Sequence, residues 1–177
     1  MYLPFVVKPG GPDLVGSFTL NPAGPNFNAG QAVVINAVVT NQGNVPASAF
    51  WVDFYINPAA TPSVNHPWNS LCGMTPCYGL AWYISGGLGP GQSINLTSTP
   101  GSYAVDHSIW PGYFAAGTSH LHLYVDSWNP GVNSGGVSES REDNNLYSLP
   151  GGVSVSGMMT ATELPAPDSL PDRPARY

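Results

Sequence analysis

The side chains that could do chemistry in this chain are few, and most of them cluster. Asp126, Asn129, Asn133, Glu139, Glu142, Asp143, Asn144 and Asn145 form an oxygen-rich run in a protein with only 8% charged residues. Carboxylate and amide oxygens on loops suit calcium, which accepts such ligands in flexible geometry. Asp126, Glu139, Asp143 and Asn145 are the expected ligand set. The spacing matches no EF-hand, and Asp and Asn also close turns by bonding to nearby backbone, which is their usual role. His120 and His122 stand two apart on a candidate strand, so both leave the same face at a spacing that can chelate zinc or copper. No third ligand lies near them in sequence, and the alternative is a polar solvent face.

Catalytic patterns are missing where they would be sought. The chain contains no G-x-S-x-G, H-E-x-x-H or P-loop, and its single lysine, Lys8, precedes a proline. Asp106-His107-Ser108 has the residue types of a hydrolytic triad, but adjacency in sequence is not triad geometry. The expectation is a protein that is not an enzyme and needs no cofactor, calcium apart. Cys72 and Cys77 flank four residues that include Gly73 and Pro76, a bend able to bring the sulfurs together. A disulfide there closes a small ring, stabilises by about 2 kcal/mol and stiffens a loop tip. A redox motif would want two intervening residues and a zinc site two more ligands. Five tryptophans are many for this length. Trp51 and Tyr55 share one strand face, which is either an aromatic surface for a sugar or partner, or a face covered by a loop. Asn95-Leu96-Thr97 is the one glycosylation sequon.

Composition narrows the partners. Lys8, Arg141, Arg173 and Arg176 are the only lysines and arginines among 177 residues, and the net charge is -6. Too few bases are present to neutralise phosphates, so nucleic acid is excluded. No apolar run approaches the roughly 18 residues of a membrane span. Tyr2 to Val7 is too short for a signal-peptide core and lacks a basic leader, so an exported protein would be represented here in mature form. With 21 glycines and 19 prolines beside 42% hydrophobic residues, the profile is that of a loop-rich, secreted, all-β protein.

The elements that must position these residues read as short strands between Gly, Pro and Asn. Candidates are Asp13 to Leu20, Gln31 to Thr40, Phe50 to Asn57, Gly79 to Ser85, Gln92 to Thr99, His120 to Ser127 and Leu146 to Ser156, the last broken by Pro150-Gly151-Gly152. Val33, Ile35, Ala37 and Val39 share one face of the second, and Val34, Asn36, Val38 and Thr40 the other. Phe50, Val52, Phe54 and Ile56 alternate with Trp51, Asp53, Tyr55 and Asn57. Seven or so such strands predict an immunoglobulin-like, two-sheet β-sandwich with a long insertion and extended termini.

Gly11-Pro12-Asp13-Leu14-Val15, Gly30-Gln31-Ala32-Val33-Val34-Ile35, the turn Val39-Thr40-Asn41-Gln42-Gly43 and the turn Glu139-Ser140-Arg141-Glu142-Asp143-Asn144-Asn145 resemble the CARDB domain. The resemblance spans residues 11–156. It implies an immunoglobulin-like module of bacterial and archaeal surface proteins acting in adhesion, and it is more specific for fold than for function. The segment from Pro58 to Tyr78, which holds both cysteines, is longer than the resemblance implies.

The ends carry a sharper expectation. Residues 1–10 form a strand-like extension and residues 157–177 a Pro-rich tail. Tyr2, Leu3, Phe5, Val6 and Val7 could add a strand to a neighbour's sheet edge, which would make the chain a self-assembling surface filament subunit, a homopolymer. The alternative is that the run pairs within its own domain. The runner-up function is a carbohydrate- or calcium-binding adhesion module of a larger surface protein.

Overall fold

Alternation in the sequence becomes alternation in space. The computed structural model describes residues 10–73, 75–158 and 165–174. The expected assembly residues Tyr2, Leu3, Phe5, Val6 and Val7 lie outside the described residues. Ten strands are present among those described: β1 (Leu14–Asn21), β2 (Asn26–Asn28), β3 (Val34–Asn41), β4 (Phe50–Ile56), β5 (Gly79–Ile84), β6 (Ser93–Thr97), β7 (Gly117–Ser119), β8 (Leu121–Val125), β9 (Leu146–Ser148) and β10 (Val153–Ser156). Three short 3-10 turns, at Trp68–Leu71, Val105–His107 and Pro167–Ser169, are the helical elements among these residues.

The fold is all-β and immunoglobulin-like, as expected, but it has three sheets where two were expected. One sheet runs β1-β3-β6 and another β5-β4-β8-β9, all antiparallel. Their inner faces meet in the core. Phe18 stands edge-on to Phe54 and to Tyr147, with centroids 4.8 and 5.2 Å apart. Gly16 is required at this contact, because a Cβ there would lie 2.6 Å from Val125 and 2.9 Å from Leu123. The third sheet, β2-β10-β7, is mixed, with β10 parallel to β2. The closing run from Leu146 to Ser156 is broken at Pro150-Gly151-Gly152, as expected, giving β9 and β10; Gly151 and Gly152, with φ values of 76° and 64°, turn the chain out of one sheet and into another. β2 and β7 escaped the sequence reading because three residues show no period.

β4 is buried at every position, on both faces. Phe50, Val52, Phe54 and Ile56 face the core between the two larger sheets. Trp51, Asp53 and Tyr55 face outward, yet the inserted segment folds back over them. The Tyr55 hydroxyl donates to the His66 carbonyl at 2.8 Å, and Trp68 Nε1 donates to the His107 carbonyl at 2.8 Å. Gly79 lets the Trp68 ring approach, since a Cβ there would stand 2.5 Å from it.

Asn41, fully buried, ties the opening of the chain to the loops around it. Its Oδ1 accepts from Asp13 N at 3.1 Å and Gly43 N at 3.0 Å. Its Nδ2 donates to the carbonyls of Val45 at 2.9 Å and Leu88 at 3.0 Å. Asn41→Ala should cost about 3 kcal/mol, because it strands several buried backbone groups at once. Denaturant unfolding measures this, and a loss under about 1 kcal/mol would mean that these groups find other partners.

Candidate functional site

The oxygen-rich run forms a corner beside the start of β1. Asp126 directly follows β8 in a left-handed conformation, φ 56°, which a short polar side chain tolerates. Its carboxylate accepts from Gly136 N at 2.7 Å and Val137 N at 2.8 Å. Gly135 must lack a side chain, because a Cβ would collide with that carboxylate. Glu139 accepts from Leu14 N through one oxygen and from Asn145 Nδ2 at 2.7 Å through the other. Asn144 Nδ2 donates to Asp13 Oδ1 at 2.7 Å, and Glu142 accepts from Glu139 N at 2.8 Å. Burial pushes the Asp126 carboxyl up to about 7, against the pull of its two backbone donors, with the Glu142 charge adding to the rise. Burial raises Glu139 to about 8, and the nearby charges of Asp126 and Glu142 reinforce it.

Of the four expected calcium ligands, Asp126, Glu139 and Asn145 are therefore gathered here. Asp143 is not: it pairs with Arg141 at 3.2 Å in open solvent, its side chain 80% exposed. Among the described residues, no group of three or more His, Cys, Asp or Glu side chains is arranged to hold a metal. Asn144 Oδ1 and Asn145 Oδ1 are nonetheless buried and without a hydrogen-bond partner. Asn129 serves the loop itself, donating to the Gly135 carbonyl at 2.8 Å, and Asn133 is exposed.

The remaining candidates separate cleanly. His120 and His122 border a hollow of about 560 Å³ with Asn57 and Thr118. His122 bonds to the Ser148 hydroxyl at 2.7 Å, and burial lowers its pKa, with His120 adding to the effect. Ser108 does not pair with His107; its hydroxyl accepts from Ala81 N at 2.9 Å. Cys72 and Cys77 form the expected disulfide. Asn95 is exposed on β6. Of the two readings of the Trp51 and Tyr55 face, it is the covered one: at 2% and 1% exposure both lie beneath the inserted loop and the chain's own C-terminal segment.

The sequence reading missed the centre of that cover. Asp53, 0% exposed, accepts two bonds of 2.5 Å from Arg173, whose side chain is 4% exposed. Ser127 Oγ donates to the same carboxylate, and Trp68 N does so at 3.3 Å. The guanidinium also lies 4.9 Å from the Trp51 ring. His107 bonds the Pro171 backbone and meets Trp51 edge-on at 5.2 Å; burial lowers its pKa, helped by Arg173. Residues 165–174 thus form a strap across the outer face of β4. A signal was available in sequence: an acid in the middle of Phe50–Ile56, in a chain with four lysines and arginines.

Comparison with solved structures bears on the fold. The CARDB domain of a protein from Pyrococcus furiosus, crystallised in complex with di-metal ions, superposes with a TM-score of 0.53 at 21% identity, over 82% of this chain and 94% of that one. The fold is that of a CARDB domain. A β-glucosidase from Listeria innocua in complex with gluconolactone matches with a TM-score of 0.39 and 13% identity over 84% of this chain and 17% of the enzyme, a likeness too weak to bear on function. No protein-family model and no curated protein sequence matches this chain.

The two turns that resemble CARDB sequences have clear physical work in this CARDB fold. Asn41 in the first and Glu139, Asn144 and Asn145 in the second all reach Asp13, Leu14 or the loops beside them. Both turns clamp the opening of β1. The raised carboxyls give the clamp a pH dependence. A group that holds its proton more tightly when folded stabilises at low pH, and that stability is lost as pH rises through the folded pKa. Between pH 6.5 and about 8 the lowered histidines change little, so Tm should fall through that range on account of Asp126 and Glu139. Glu139→Gln, which mimics the protonated side chain, should flatten the fall and raise Tm at pH 8. A variant with the wild-type slope would show that Glu139 is not the group responsible.

Proposed function

We propose that this chain is a structural, non-catalytic module of an extracellular surface protein that joins copies of itself into filaments through its termini. The observation that carries the reading is the character of the sheet edges. Among the described residues, β1 and β6 each pair with β3 on one side only. Neither contains a proline or a charged residue, the devices that usually blunt an edge against pairing. An uncharged edge is what an added strand needs, with Leu3, Phe5 and Val7 supplying the alternate side chains. The Cys72–Cys77 disulfide fits an oxidising compartment, and among the described residues no helix is long and apolar enough to cross a membrane. The CARDB fold supports a surface or adhesive role. Electron microscopy of the purified protein should show filaments that disappear when residues 1–10 are deleted. Single particles in both preparations would sink the proposal.

A second reading, a divalent cation held in the acidic corner, is favoured by the two partnerless amide oxygens beside Asp126 and Glu139. The Pyrococcus domain crystallised with di-metal ions adds to its interest. Calcium at pH 8 should raise the Tm of the wild type and leave Glu139→Gln unmoved; an identical response from both would remove the corner from consideration.

A further inference from the structure

The strap of residues 165–174 meets the body at separate points, without a strand ladder. Arg173 grips Asp53, His107 bonds the Pro171 carbonyl, and Asn69 Nδ2 donates to the Pro167 carbonyl at 3.4 Å. Pro165, Pro171 and Pro174 favour an extended backbone on either side of the Pro167–Ser169 turn and, with Pro167, remove donors from the strap. A hollow of about 310 Å³ remains between strap and body, bordered by Asn69, Trp128 and Leu170. Contacts of this kind do not depend on the strap belonging to the same chain.

The need for a cation lies on the side of the body. Between residues 10 and 158 the only lysine or arginine is Arg141. It is occupied by Asp143 in solvent. The body therefore has no free lysine or arginine of its own to neutralise the buried Asp53. The site also selects its cation by shape. Two parallel bonds to one carboxylate beneath an indole ring suit a planar guanidinium and not the compact ammonium of lysine.

We infer that Asp53, with Trp51, Trp68, His107 and Ser127, is a socket for an arginine carried on an extended, proline-rich peptide, and that in the assembled protein its occupant is the Pro165–Pro174 strap of a second copy. Exchange of an identical element between copies reuses contacts already present, so it adds little cost. The inference rests on the reading that the chain assembles with itself, and it places a joint at the C-terminal end, independent of the N-terminal strand.

Two full-length variants test it. Asp53→Asn keeps a working strap and loses the socket; Arg173→Ala keeps the socket and loses the strap. Mixed, they should form assemblies larger by light scattering than either variant forms alone, and an added peptide of residues 165–174 should return them to the unmixed size. A mixture that behaves as the sum of its components overturns the inference. Should Arg173→Ala fail to fold, a fluorescent peptide of residues 165–174 is titrated into Arg173→Lys, whose own strap has lost the guanidinium fork. Saturable binding that weakens at least tenfold when the peptide carries lysine for arginine supports the socket, and no binding overturns it. Deletion of residues 1–10 separates the two joints. Filaments lost on that deletion but retained by both Asp53→Asn and Arg173→Ala would refute the exchanged strap and leave the fibre reading intact.

Discussion

A carboxylate stands at the centre of a strand buried on both faces, and the outer architecture of the molecule answers to it. Asp53 is surrounded by the aromatic and aliphatic side chains of β4 and its neighbours, where an unpaired charge is very costly. The chain meets that cost from three directions: a hydroxyl from the end of β8, a backbone amide from the inserted segment, and a guanidinium 120 residues away. Removing one partner of such a pair typically costs about 3–5 kcal/mol, because the other charge is left buried. An apolar residue at position 53 would avoid the cost, so the pair is better understood as a device of specificity: it gives the proline-rich strap one place to dock.

That requirement organises the surface. The inserted loop must fold back to bring Trp68 to Asp53, and Gly79 makes room for its ring. The strap then closes over Trp51. A face that would otherwise present aromatic rings to solvent becomes an interior layer. The Cys72–Cys77 disulfide stiffens the far end of the same loop.

The acidic corner obeys the same logic beside Asp53, beginning at Asp126, the neighbour of Ser127. Asp126, Glu139 and Asn145 are spent on backbone amides and carbonyls of β1, β8 and the loop between β8 and β9. In a protein with so few charges, most of the buried ones build the framework. This is why residue types alone suggested calcium, while their hydrogen bonds first describe a clamp. Burial sets the protonation of the two carboxyls, and burial is a property of the packed molecule.

Strand pattern, turn chemistry and loop closure are local, so they were legible in the chain. The alternation from Val33 to Thr40, the Asn41-Gln42-Gly43 turn, the disulfide across four residues and the all-β class follow from nearest-neighbour physics: side chains alternate along a strand, and short loops close at small entropic cost. Three-residue strands carry no period, so β2 and β7 could not be seen, nor could the third sheet they form with β10. Asp53 announced that a cation was needed, but nothing in its spacing named Arg173 over Arg141. Tertiary structure decided that choice, as it decided the burial of Trp51 and the high pKa of Glu139. Each depends on which distant surfaces meet once the sheets have packed, and a charge, unlike a strand, takes its energy from everything around it.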